Sequence, residues 1–283
     1  MERVEVSPKI QIDQGEEKRL VLFCGQRASS FIKDVVSGKT VDGKKYRFDA
    51  EFVMEIHDRV SLAPGVKGLL RQTDSTTVGG EPVIGSYEQL LFKMSLFGRW
   101  LQEQIGELKE NPEDLLLAIK IAAAAHYGLV QRQFHPFDNG NGRTARALMN
   151  AILMSQSYEL TAHGLAIPPI PIVRTDKDEG HYIRCLRAVD KTRVLNPLMS
   201  FIAQKWLESL EERMQKIKTQ IKKPKTKADQ LLFAKLESRQ QLLRDFLKTD
   251  FNNGESKQNG NGNYKVYPVP DYFALKYIKV SNA

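Results

Sequence analysis

The stretch NPEDLLLAIKIAAAAHYGLVQRQ, residues 111–133, constrains the fold more than any other part of the chain. Its apolar residues cover every face of a helix, so the helix must be surrounded, and Ala118 and Ala122 to Ala125 allow neighbours to approach closely. Asn111 is expected as its N-cap, with Pro112 at the first helical position. No apolar run approaches the length of a membrane span. A buried, alanine-rich helix therefore points to close packing against neighbours on all sides.

Other segments supply partners. From about Ser86, YEQLLFKMSLFGRWLQEQIGEL places Leu90, Leu91, Met94, Leu96, Phe97 and Leu101 on a broad apolar stripe. After FHPFDNGNG, the residues Ala145, Leu148, Met149, Ile152 and Leu153 follow i, i+3, i+4, i+7, i+8 spacing. NPLMSFIAQKWLESLEERMQKIKTQIKK and KADQLLFAKLESRQQLLRDFLK read as an antiparallel helical hairpin broken at Pro224. Near the N-terminus RLVLFC and VSPKIQI look like short β-type runs. AEFVMEIHDRVSL has helical spacing at Phe52, Val53, Ile56 and Val60.

Between Pro64 and Val83, PGVKGLLRQTDSTTVGGEPV has the paired glycines, prolines and Thr/Val run of an exposed hairpin. From Thr249 the polar sequence TDFNNGESKQNGNGNY reads as a flexible loop. A terminal strand or docking segment follows, in which Pro268 and Pro270 exclude a central strand position. The expected division is an N-terminal extension over 1–60, a core with the hairpin over 61–205, a helical hairpin over 206–248, and a linker with terminal segment over 249–283.

Composition narrows the function classes. Cys24 and Cys185 are too few for a disulfide framework and lack metal-ligand spacing, and the N-terminus lacks the apolar region of a secretory signal, so a cytoplasmic protein is expected. The net charge of +8 is concentrated between Arg213 and Ala228, which hold Arg213, Lys216, Lys218, Lys222, Lys223, Lys225 and Lys227 and no acid. No aromatic residue interleaves these lysines to stack on bases, so a solvated surface is preferred over a nucleic-acid site.

The chemistry concentrates in HPFDNGNGRTAR, residues 135–146. Its glycines close a loop directly before a helix, where unpaired N–H groups and the helix dipole favour an anion, so Gly140, Asn141 and Gly142 form a candidate phosphate cradle. Arg143 and Arg146 share a helix face and suit phosphate oxygens bidentately. His135 stands just upstream, where an imidazole can accept a hydroxyl proton. Phe137 is expected to point into the core and fix the loop. His57, His126, His163 and His181 lack such company and are read as structural or solvated, with Tyr182 placed to contact a nucleotide base.

The segment resembles the signature HxFx[DE]GNGRxxR of the Fic family at every named position but one. The preceding AAAAHYGLVQRQFHPF and the later DEGHYIRCLRAV resemble flanking helices of that family, so the likeness spans roughly residues 60–205. It implies a mainly α fold, a helical bundle with a β-hairpin flap, and transfer of AMP from ATP to a Ser, Thr or Tyr hydroxyl of a protein target. Carried across, His135 becomes the general base, Gly140, Asn141 and Gly142 hold the inner phosphates, and Arg143 and Arg146 hold the outer ones. Leu70 to Gly80 takes the place of the flap, with Thr77 and Val78 at the tip pairing with the target's backbone.

The departure is Asn139, which replaces the acid that holds Mg²⁺ on the nucleotide. An amide oxygen ligates Mg²⁺ without offsetting its charge, so weaker metal binding is expected, with Asp138 as the neighbouring alternative ligand. A slower adenylyl transfer is the preferred reading. Transfer from another phosphate-containing donor, or a nucleotide-binding interaction module with little transfer, are the alternatives. Self-modification and homodimer formation stay open, and no membrane partner is expected. The family's inhibitory string [ST]xxxE[GN] is matched by TDKDEG at residues 175–180, but that segment begins a later helix, where Glu179 is read as a capping or solvated residue.

Overall fold

A computed structural model of the chain describes residues 14–61, 69–72, 77–78, 81–82, 86–156, 176–220, 226–254 and 265–271. Among them are eight helices and one two-stranded ribbon: α1 (Gln14–Val36), α2 (Ala50–Val60), β1 (Thr77–Val78), β2 (Glu81–Pro82), α3 (Tyr87–Glu110), α4 (Leu115–Val130), α5 (Asn141–Ser155), α6 (Asp176–Thr192), α7 (Asn196–Gln220) and α8 (Lys227–Gly254). The fold is mainly α, as the sequence implies.

The centre is the pair α4 and α5. Ala118, Ala122, Ala123, Ala124 and Ala125 of α4 are buried, as are Ala145, Leu148, Met149, Ile152 and Leu153 of α5, and small side chains on α4 let the two axes lie close. Around this pair, α1 and α2 pack on α5, α3 packs on α2 and α4, α7 packs on α4, and α6 and α8 pack on α7. One continuous apolar core results.

Helix ends follow local chemistry, with one shift from expectation. Ser86 caps α3 with a reciprocal capping box through Gln89. Asn111 is not the N-cap of α4. It ends α3, donating its N–H to the carbonyls of Glu107 and Leu108, and Pro112 follows that stop. Asp114 caps α4 instead, its carboxylate accepting the N–H of Leu117 at 2.8 Å.

RLVLFC is helical, not β. It lies inside α1, where Cys24, Ala28, Phe31, Ile32 and Val35 recur on one buried face while Leu22 and Phe23 are exposed. A short apolar run cannot by itself distinguish the two periods, and here the residues beyond it decide. VSPKIQI lies outside the described residues. On α3, Leu91 leaves the expected stripe for the exposed side, and the other five stripe residues are buried.

Other expected elements take their places. Thr77 pairs with Pro82 and Val78 with Glu81 in antiparallel register, as expected of a hairpin in this stretch; the rest of residues 73–85, Gly79 and Gly80 included, lies outside the described residues. Helix α8 runs to Gly254, past the boundary expected at 248, with the Thr249 hydroxyl donating to the Asp245 carbonyl at 2.8 Å. Residues 265–271 dock on the α6–α7 turn: Leu195 N–H donates to Tyr267, Val269 N–H to Arg193, and the Asn196 side chain bonds Lys265 and Tyr267. This is an isolated antiparallel bridge at Val194 and Pro268, consistent with prolines that exclude a central strand. Both cysteines are buried and free, and burial pushes the Cys185 thiol up to about 11. No helix among the described residues is long and apolar enough to cross a membrane.

A close approach between α3 and α2 tests this packing. A Cβ on Gly98 of α3 would stand 2.6 Å from the backbone nitrogen of Ala50, the first residue of α2. Gly98→Ala should therefore cost about 1–3 kcal/mol in denaturant unfolding despite the better helix propensity of alanine, because backbone on both sides must move.

Candidate active site

The loop from His135 to Gly140 links the two central helices, and its shape comes from the side chain of Asn141. That carboxamide accepts the N–H of Phe137 at 3.0 Å and donates to the carbonyl of Phe137 at 2.6 Å, so both polar groups of one peptide residue are held by one amide. Phe137 is thereby fixed with its ring fully buried. Gly140 follows with φ of 81°, a left-handed conformation that favours glycine, and its carbonyl accepts from the N–H and hydroxyl of Thr144 as α5 begins.

The two glycines also make space. A Cβ on Gly140 would lie 3.4 Å from His57 Nε2 and 3.6 Å from an Arg143 nitrogen, and one on Gly142 would lie 3.3 Å from Arg146 Nη1. The start of α5 is thus a bare backbone turn flanked by two guanidinium groups. That is an arrangement suited to phosphate oxygens.

Of Asn141, the side chain is engaged within the loop. What it offers an anion is its backbone N–H at the helix start. Asn139 is exposed, and its side-chain oxygen accepts the N–H of Gly140 at 2.6 Å. Asp138 beside it is exposed too. Among the described residues no group of three His, Cys, Asp or Glu residues could hold a metal ion. The residues present therefore fit a firmly held Mg²⁺ poorly: the amide at 139 brings no charge, and its oxygen is turned onto Gly140.

The His135 ring is held in one tautomer. Its Nδ1–H donates to the Val130 carbonyl at 3.3 Å, which leaves the lone pair on Nε2. Burial lowers its pKa below the ordinary histidine value; the hydrogen bond to Val130 opposes this, and the nearby Arg71 charge adds to it. The imidazole is accordingly neutral at pH 7. Its backbone has φ of 35°, a strained conformation for a residue with a Cβ.

Arg71 holds that strained turn. It is almost wholly buried, its Nε donates to the His135 carbonyl at 3.1 Å, and its backbone N–H donates to the Pro136 carbonyl at 2.8 Å. Lys93 of α3 adds a bond to the Gln133 carbonyl at 2.6 Å. Arg71 lies six residues before β1. No sequence signal in GLLRQ marks it.

Behind the loop, Arg146 is buried with its guanidinium 6.0 Å from the centre of the Tyr182 ring. The Tyr182 hydroxyl lies 3.1 Å from His126 Nε2, and burial, with Arg146 adding its charge, pushes His126 down to about 3. Tyr182 thus backs an arginine and is itself buried, a supporting place instead of the base-contacting one expected from sequence. His57 is also at the site, with its ring against Phe137 and its Nε2–H donating to the Asn139 carbonyl at 3.0 Å. Its signal was a polar residue inside the apolar stripe of α2. His181 is exposed with its ring edge-on to Phe201, and His163 lies outside the described residues.

Comparison with known proteins agrees with this geometry. The model of the Fic/DOC family matches residues 47–153, from the turn before α2 almost to the end of α5. Proteins called protein adenylyltransferase Fic are similar: that of Nematostella vectensis is 35% identical over 154 residues, 54% of this chain and 31% of its own length. That of Drosophila grimshawi is 31% identical over 163 residues, 56% of this chain and 29% of its own. The chain thus spans under a third of the length of these relatives. The loop, His135 and both arginines all lie inside residues 47–153, the segment similar to the Fic/DOC family.

Proposed function

We propose that the chain transfers AMP from ATP to a hydroxyl group of a protein. The observation that carries this reading is the proton-free Nε2 of His135, held by Val130 and Arg71 at the mouth of a bare helix N-terminus with two arginines. The relatives' name, protein adenylyltransferase, supports the donor and the class of acceptor.

In the proposed reaction the acceptor hydroxyl gives its proton to His135 Nε2 as its oxygen attacks the α-phosphorus. The bond from that phosphorus to the oxygen bridging to the β-phosphorus breaks, and pyrophosphate leaves. Backbone N–H groups at the start of α5 and the guanidinium groups of Arg143 and Arg146 meet the charge that moves onto the departing phosphates. The ribbon at Thr77 and Val78 offers a backbone edge to an extended target segment, so selection there rests on main-chain pairing.

Asn139 favours a second reading, nucleotide binding with little transfer, because its oxygen is engaged on Gly140 and it brings no charge for Mg²⁺. Mg²⁺ would then enter with the nucleotide phosphates, and Asp138 is the carboxylate nearest in sequence. Asn139→Asp should raise Mg²⁺-dependent transfer if the missing charge limits the rate. An unchanged rate with a supplied target would remove that explanation.

Incubation with ATP labelled on the α-phosphorus, Mg²⁺ and cell lysate tests the activity itself. Label should appear on protein, this chain included among the possible acceptors, and should fall about 10²- to 10⁴-fold in His135→Ala. Label that persists in His135→Ala would contradict the assigned base. The pH profile gives an independent check. Because burial and the Arg71 charge lower the His135 pKa, transfer should persist below the ordinary histidine midpoint of about 6.5 and decline only as His135 protonates at lower pH. Arg71→Met should move that acid limb upward and lower kcat more than ATP affinity.

A further inference from the structure

We propose that His57 is a positioning residue that shapes the phosphate loop from one helix away, a part that rests on the reading of that loop as a nucleotide site. His57 lies in the last turn of α2 and is 3% exposed. Its ring stacks on Phe137 with centroids 3.7 Å apart and planes 7° from parallel. Its Nε2 is 3.0 Å from the Asn139 carbonyl, and a carbonyl only accepts, so the proton is on Nε2.

One ring therefore touches the loop in two ways. The stack supports the side chain of Phe137 while the N–H holds the peptide oxygen two residues later. Asn141 in turn clasps the Phe137 backbone, so Phe137 is held through its ring by His57 and through its peptide by Asn141. Gly140 comes next, and a Cβ there would meet the His57 ring at 3.4 Å and an Arg143 nitrogen at 3.6 Å. The Asn139 carbonyl and the Gly140 N–H belong to the same peptide unit, so a bond that orients one orients the other.

The chemistry of the ring argues that the N–H is what is needed. With Nε2 protonated, the other nitrogen is a bare acceptor, and His57 Nδ1 is buried with no hydrogen-bond partner. An unsatisfied buried acceptor is costly, and an apolar ring would stack on Phe137 without that cost. What an apolar ring cannot do is hold the Asn139 carbonyl. His57 acts through the loop and touches no substrate.

The test compares the full chain carrying His57→Phe, which keeps a ring and removes the N–H, with His57→Gln, which keeps a donor and removes the ring. ATP affinity is read by calorimetry, and hydrogen exchange of peptides covering 136–143 and α4 is followed without nucleotide. His57→Phe should unfold at or near the wild-type temperature, weaken ATP binding by about 5- to 10-fold, and speed exchange in the loop peptide but not in α4. His57→Gln should recover part of the lost affinity. If His57→Phe binds ATP like wild type with unchanged loop exchange, or if His57→Gln is no better than His57→Phe, the positioning role is overturned. Should His57→Phe fail to fold, His57→Leu takes its place: like His57→Gln it lacks the ring, so the pair differs in the donor alone, and His57→Gln should bind ATP more tightly than His57→Leu, with equal affinity overturning the role. Wild type that binds no ATP would instead sink the reading of the site, and the role of His57 with it.

Discussion

The hold of the Asn141 carboxamide on the backbone of Phe137 is the constraint on which the site depends. A loop before a helix has free donors and acceptors that water would otherwise satisfy in many conformations. Here one side chain satisfies both groups of a residue four positions earlier, and the turn becomes single-valued. Phe137 is then buried, Gly140 takes a left-handed conformation, and α5 starts there with no side-chain cap.

That loop is rigid only because its surroundings are. The alanines of α4 let α5 lie close enough for the loop to be short, and Arg71 and Val130 hold His135 where its backbone is strained. Strain of this kind persists only where several contacts fix it together. It also links the ribbon's approach to the loop, since the residue that grips the His135 and Pro136 carbonyls sits a few positions before the ribbon.

Much of this was legible in the sequence. The buried α4, the stripe of α5, the buried Phe137 and the motif itself could be read because period, composition and spacing are local properties. Asn141 shows where such reading stops. Its residue type fits a phosphate ligand, but its side chain serves the backbone of Phe137, a partner that only the folded turn brings near. Arg71 and His57 are contributed from 64 and 82 positions away in sequence from the groups they bond, and no local pattern encodes such pairs. Asn111 and RLVLFC failed for a simpler reason: a residue beside a helix junction can end one helix or begin the next, and a six-residue apolar run fits either period.

The central claim is a division of labour, in which the start of α5 binds phosphate and His135 moves a proton. Calorimetric titration of ATP into wild type, Arg143→Ala, Arg146→Ala and His135→Ala tests it most directly. Wild type and His135→Ala should bind ATP alike, while each arginine variant should bind it more weakly, by about tenfold or more for the loss of a charge-assisted hydrogen bond. Binding that ignores both arginines, or that vanishes with His135, would contradict the account.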